Sequence, residues 1–256
     1  MSLTRSISSV FTIAEMEARK IRHDSTELWM RSVQPALWLL IFGEVLNSVK
    51  VLAPAGYSYI QYIAPGVLAQ SVLFVAIFYG ITIVWERDVG LLTKLLSTPS
   101  PRSSIVVGKA MASAVRGVFQ AAVIFVLSLL LGIQLRLDLP DVLGVFGIVV
   151  MLSICFSSFS MVLASFLKTR DRMMGIGQVL TMPLFFASSA IYPISLMPTW
   201  LKYIAYVNPL SYVVDALRSL LLTGDYSSVP LDMAALLVAT VFFASLASVV
   251  VKRLVQ

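Results

Sequence analysis

The stretch "VWERDVGLLTKLLSTPSPR" occupies Val84–Arg102. Apolar segments long enough to cross a membrane lie on both sides of it, so a short charged piece interrupts an otherwise greasy chain. As a helix from about Asp88 to Ser97, it places Val89, Leu91, Leu92, Leu95 and Leu96 on one arc. That arc is about 160° wide at about 100° per residue, with Gly90, Thr93, Lys94 and Ser97 opposite. Glu86 and Asp88 stand at the expected N-terminal end, where negative charge suits the helix dipole. Pro99 and Pro101 stop the helix. Two readings are open: an ordinary interfacial loop helix, or a docking helix gripped by a cytosolic partner.

The surrounding chain fixes the setting. Of 256 residues, 59% are hydrophobic and 12% charged, against about 25% charged in soluble domains. Mean hydropathy is +0.91. Apolar surface on that scale implies an integral membrane protein, and long non-alternating runs imply helices rather than a barrel. The expected fold is an all-α membrane protein with six transmembrane helices, near 33–52, 60–84, 104–131, 142–167, 173–192 and 231–251. An N-terminal amphipathic interfacial helix (1–30) precedes a six-helix transmembrane domain (31–256). Within that domain lie the coupling stretch at about 86–99 and a hairpin at about 193–224. In the N-terminal segment Phe11, Ile13, Met16, Ile21, Leu28 and Trp29 are interleaved with Glu15, Glu17, Arg19, Lys20 and Arg22; this fits a helix lying in the interface plane or a solvated one.

Lysine and arginine set the expected orientation. With the N-terminus inside, the inner segments hold Arg5, Arg19, Lys20, Arg22 and Arg31, then Arg87, Lys94, Arg102, Lys109 and Arg116. They also hold Lys168, Arg170, Arg172, Lys252 and Arg253. Only Lys50, Arg136, Lys202 and Arg218 of the 19 basic residues fall outside. The net charge of +6 therefore follows the membrane rule and does not point to nucleic acid. Both termini are expected in the cytoplasm, in a plasma-membrane protein. The N-terminus shows no signal-peptide pattern. The single cysteine, Cys155, and single histidine, His23, give neither an intrachain disulfide nor a usual zinc site, so no metal is expected.

The last outer loop carries "YVNPLSYVVDALRSLLLTG". Asn208 reads as an N-cap, Pro209 as the first helical residue and Gly224 as the stop. Leu210, Val213, Val214, Leu217 and Leu221 form an apolar face; Ser211, Asp215, Arg218 and Ser219 form a polar one, with Asp215 and Arg218 spaced i,i+3. This helix is expected to dip into the outer leaflet or pack against the spans. Tyr192, Trp200, Tyr203 and Tyr206 before it suit an interface. Charged groups inside spans default to functional candidates. Glu44, Arg116 and Gln120 either line a polar path or pair across a dimer, or else snorkel to wet ends. The Phe185–Phe186 pair beside Pro183 fits a gate or plain packing.

"WERDVGLLTKLLSTPSPRSSIVVGK" resembles the cytoplasmic coupling segment of ABC transporter permeases of the type-2 exporter class. The matching residues are Glu86, Arg87, Asp88, Gly90, the Leu95–Leu96 pair and Thr98–Pro99. "NPLSYVVDALR", Asn208 to Arg218, is similar to the family's second recurring motif. The resemblance implies a half-transporter membrane subunit acting as a homodimer over a separate cytosolic ATPase. It places Val89, Leu92, Leu95 and Leu96 in a groove of that ATPase or against the bilayer, and Glu86, Arg87 and Lys94 in polar contacts. It makes the N-terminal helix the family's connecting helix. No phosphate loop occurs in this sequence: at "GKA", Gly108–Ala110, the upstream Gly is Ser103 and the Ser or Thr is Ala. No Ser–His pair or paired-aspartate motif appears either. The expectation is a permease with no catalytic residues and no cofactor of its own, with ATP bound by the partner. The alternative is an ion-coupled or passive transporter without an ATPase.

Overall fold

The computed structural model describes residues 15, 19, 26–46, 56–90, 102–167 and 169–250. Among these, every regular element is helical. The chain runs through α1 (Thr26–Leu37), a π-helical turn (Trp38–Phe42) and α2 (Gly43–Leu46) as one rod. Then come α3 (Tyr59–Asp88), α4 (Arg102–Leu130), α5 (Leu139–Ala164) and α6 (Arg170–Phe186). A short 3₁₀ turn (Ile194–Leu196) leads to α7 (Thr199–Val207), α8 (Pro209–Arg218), a second π turn (Ser219–Thr223) and α9 (Val229–Val250).

Helix α3 is the axis of the bundle. Ser58 and Gln61 start it with a reciprocal capping box: the Gln61 amide donates to Ser58 Oγ (3.4 Å) and the Ser58 amide to Gln61 Oε1 (2.9 Å). It is apolar all round and buried along most of its length, as expected of a helix wrapped by others. It packs on α5, α4, α6 and α8, while α5 also holds α9. It approaches α5 closely at Gly80. A Cβ there would lie 2.6 Å from Ser160 Cβ and 2.7 Å from the Ser157 carbonyl oxygen. Ser160 Oγ donates to the Ile77 carbonyl across the same contact (2.7 Å). Small residues let helix backbones meet where lipid offers no hydrophobic drive between helices.

Among the described residues, four helices are long and apolar enough to cross a membrane: Tyr59–Asp88, Ile105–Leu130, Leu139–Ala164 and Val229–Val250. They coincide with the second, third, fourth and sixth expected spans. The first expected span lies on the α1–α2 rod, whose described part runs from Thr26 to Leu46. Of the N-terminal segment, Glu15 and Arg19 are described; both are helical and form an exposed ion pair at 2.7 Å. The fifth expected span, 173–192, is a shorter helix. α6 stops at Phe186 and the chain turns through 187–193.

Gly80→Leu is expected to destabilise the bundle by about 1–3 kcal/mol through overpacking, read as a lower thermal unfolding midpoint in detergent. Val179→Leu, on an exposed α6 position, should leave the midpoint unchanged.

Candidate functional site: the two ends of the bundle

At one end, α3 closes with the residues of the opening stretch. Glu86, Arg87 and Asp88 form its last turn, Val89 is the C-cap and Gly90 takes a left-handed conformation (φ +73°). The Gly90 amide donates to the Arg87 carbonyl at 3.0 Å. This corrects the expectation of a helix beginning near Asp88. The acidic residues sit at a helix C-terminus, not an N-terminus, because Gly90 supplies the backbone stop that other residues adopt only under strain. The charge that the helix dipole disfavours there is balanced locally. Lys109 Nζ of α4 donates to Glu86 Oε1 (2.6 Å, both side chains largely buried), and Arg87 donates to Asp88 Oδ1 (3.1 Å). Leu92, Lys94, Leu95, Leu96, Thr98 and Pro99 lie outside the described residues.

About two turns further into the bundle, the Tyr79 ring lies beneath two cations, Lys109 Nζ at 5.5 Å and the Arg116 guanidinium at 4.9 Å. Arg31 of α1 lies over Phe78 at 5.1 Å. Arg31 and Arg116 line one cavity of about 130 Å³ together with Tyr79, Thr82 and Trp85. Gln120 is buried and its amide donates to Ser32 Oγ (3.0 Å), clamping α4 to α1. Glu44 lies on α2. Gln70, midway along α3, was not singled out from the sequence. It is buried, neither amide atom has a hydrogen-bond partner, and it lines a second cavity of about 100 Å³ with Arg31, Gln34 and Ser71. The signal for it was there: a lone amide in the middle of a 30-residue apolar helix.

At the opposite end, the motif Asn208–Arg218 closes α6. Asn208 caps α8 by accepting from the Leu210 amide (3.0 Å), and Pro209 opens that helix, as the sequence implies. Its Nδ2 also donates to the Leu184 (2.7 Å) and Ala187 (3.3 Å) carbonyls, which the end of α6 leaves without intrahelical partners. Arg218 donates to the Ser189 carbonyl (2.8 Å) and to Asp215 Oδ1 (3.1 Å), and Ser189 Oγ donates to the same carboxylate oxygen (2.8 Å). The Arg218 guanidinium stacks on Tyr62 at 3.9 Å. Burial pushes the Asp215 carboxyl above its ordinary value, against the opposing pull of Arg218 and Ser189. The apolar face of α8 is buried as expected. Its polar face is turned inward as well, onto the 187–190 turn: Ser211 and Ser219 are buried and Arg218 nearly so. Gly224, at φ +68°, ends the second π turn. Beside it Arg136 Nε donates to Asp141 Oδ2 (3.0 Å), and the Tyr226 hydroxyl donates to Asp141 Oδ1 (2.6 Å). The exposed side chains Trp200, Tyr203 and Tyr206 on α7 have the character of an interfacial belt.

The Phe185–Phe186 pair packs on Trp38 of the first π turn, at 5.7 and 6.2 Å, with Phe185 fully buried. Among the described residues no cluster of three or more metal-ligating side chains occurs.

The described residues form a bundle of apolar helices with charged residues closing one end and a capped hairpin at the other. The chain belongs to the ABC-2 type transporter family, whose model matches residues 8–222. It is similar to ycf38 of Cyanophora paradoxa, which carries a provisional transport-permease name. The two are 28% identical over 216 residues, covering 84% of this chain and 74% of that one. It is also similar to the daunorubicin resistance ABC transporter permease protein DrrB1 of Streptomyces coeruleorubidus (25% over 218 residues, 84% and 75%). A third relative is the inner membrane transport permease YadH of Escherichia coli K12 (24% over 207 residues, 77% of each).

Asn208→Ala removes both the cap and the bridge to α6. It should cost about 1–3 kcal/mol and raise amide hydrogen exchange across 184–190. Asn208→Ser restores the cap but not the bridge, so it should recover part of the midpoint and none of the protection.

Proposed function

We propose that the chain is the membrane-spanning subunit of an ATP-driven exporter, forming the pathway as a homodimer over a separate ATPase. The family match across 8–222 carries this reading, joined to the lack of a phosphate loop within this sequence. In this reading ATP chemistry comes from outside these 256 residues. In this reading six spans cross the membrane, α1–α2 and α6 supplying the first and fifth, with both termini cytoplasmic and the 208–218 hairpin outside. The connection between α3 and α4, 91–101, receives force from the ATPase. Gly90 uncouples its direction from that of α3, and the Glu86–Lys109 pair passes displacement into α3 and α4 together.

The cargo in this reading is a small amphipathic molecule or a lipid. The daunorubicin-resistance name of the Streptomyces relative is in keeping with that. An ion-coupled or passive carrier is the competing reading, and it needs polar groups open to a path. The Gln120–Ser32 clamp and the stacking of Arg116 on Tyr79 count against it, while unpartnered Gln70 counts for it.

Leu92→Asp with Leu95→Asp, or Gly90→Pro alone, should abolish co-purification of the ATPase while circular dichroism keeps the full helical signal. Proline cannot take the φ of Gly90, whereas Gly90→Ala strains it by only about 1–2 kcal/mol and should weaken the association without ending it. Undiminished co-purification of the double Asp variant would overturn the coupling role. Substrate movement in liposomes without ATP or ATPase would favour the passive carrier.

A further inference from the structure

We infer that the chain holds one anionic phospholipid of the surrounding bilayer, its headgroup phosphate on Arg31 and Arg116 and one acyl chain in the groove between α1 and α4. That groove has a volume of about 520 Å³. Its walls are apolar apart from Ser32, and it is bounded by Trp29, Val33, Phe119, Val126 and Leu130. Trp29, Val33, Val126 and Leu130 are more than half exposed. From Phe119 to Leu130 it follows three turns of α4, roughly 16 Å. That is about half of the ~30 Å hydrocarbon core, the reach of one acyl chain from one leaflet.

The cationic cavity adjoins one end of this groove. Trp29 meets Phe119 edge to face at 6.2 Å, and Phe119 packs on Val75. Val75 lines the cavity that Arg31 and Arg116 share. Arg116 stands one turn from Phe119 on α4, on the same side, and Arg31 is the residue before groove-lining Ser32. Each guanidinium lies over an aromatic ring, Phe78 or Tyr79, which orients its plane and leaves edge donors for phosphate oxygens. A guanidinium presents five donors, so other hydrogen bonds to these arginines leave capacity for a phosphate. Basic pockets between transmembrane helices are a recurrent way of holding acidic lipid headgroups. The occupant is a bilayer lipid rather than cargo because the groove is open along its side and apolar over its length. It would fill with the acyl chains that surround it.

The test uses the full chain purified in non-ionic detergent. Native mass spectrometry is used to titrate it with phosphatidylglycerol and, separately, with phosphatidylcholine of the same acyl chains. One phosphatidylglycerol per chain should bind in preference to phosphatidylcholine. Arg31→Gln with Arg116→Gln should lower its affinity roughly thirty-fold and leave phosphatidylcholine unchanged. Arg31→Lys with Arg116→Lys keeps the charge and should retain most of the preference, which separates loss of the site from loss of the fold. Ala122→Trp, which fills the groove, should weaken both lipids. Equal binding of the two lipids would overturn the inference, as would a preference that survives the double Gln variant. Self-crosslinking of Val126→Cys would overturn it too, by making the groove an interface between copies.

Discussion

Every backbone amide and carbonyl in an apolar surround needs a partner, and this requirement decides where the helices of this chain end. A helix that stops inside the bundle exposes its last carbonyls. α6 does so at Phe186. The structure answers with one side chain from another element: Asn208 donates to the Leu184 and Ala187 carbonyls while its oxygen starts α8. The following turn is held the same way. Tyr59 donates to the Ile191 carbonyl at 3.1 Å and Arg218 to the Ser189 carbonyl at 2.8 Å. The hairpin is therefore the means by which a short helix is allowed to exist. α3 takes part through Tyr59 and Tyr62, and through Gly66, where a Cβ would collide with the Ala190 backbone. Helix order, hairpin position and the burial of α8 follow from the same demand.

The other end of the bundle solves a different problem. Three charged residues close an apolar helix, and two of them are acidic at the terminus where the dipole disfavours them. Lys109 reaches across from α4 to Glu86, and Gly90 turns the chain away. A stop built on glycine fixes where α3 ends and leaves the direction of the next segment free, since glycine adopts several backbone regions at little cost. The junction between α3 and the 91–101 connection is thus stiff on its helical side, where Glu86 is tied to α4, and permissive on the other.

Much of this was legible in the sequence. Composition and run length are enough for an all-helical membrane bundle, because burial of apolar surface dominates and leaves little choice of class. Asn208, Pro209 and Gly224 were readable because capping chemistry is local: each residue's role depends on the few positions beside it. The reading failed where the partner is distant. Nothing within ten residues of Arg218 or Asp215 announces Ser189 or Tyr62, so the polar face of this helix was readable but its partners were not. The same holds for Glu86, whose partner is 23 residues away on another helix. Glu86 and Asp88 then read as the start of a helix, when Gly90 marks the end of α3.

Charge inside this bundle sorts by whether it closes a contact or leaves one open. Gln120 is spent on Ser32, Lys109 on Glu86, and Arg218 on Ser189 and Asp215. Each replaces a hydration shell with fixed partners, which is the condition for a polar group to persist in low dielectric. Gln70 breaks the pattern: it is as buried as the others, yet neither amide atom is bonded. An amide left so in hydrocarbon costs several kcal/mol, enough to favour any ligand or neighbouring group that pairs with it. Polar residues across the bundle alone would not mark a site, since most of them are structural ties. Gln70, beside Arg31 in the cavity that they share, is a position where both polar atoms of a buried amide are left to a second molecule.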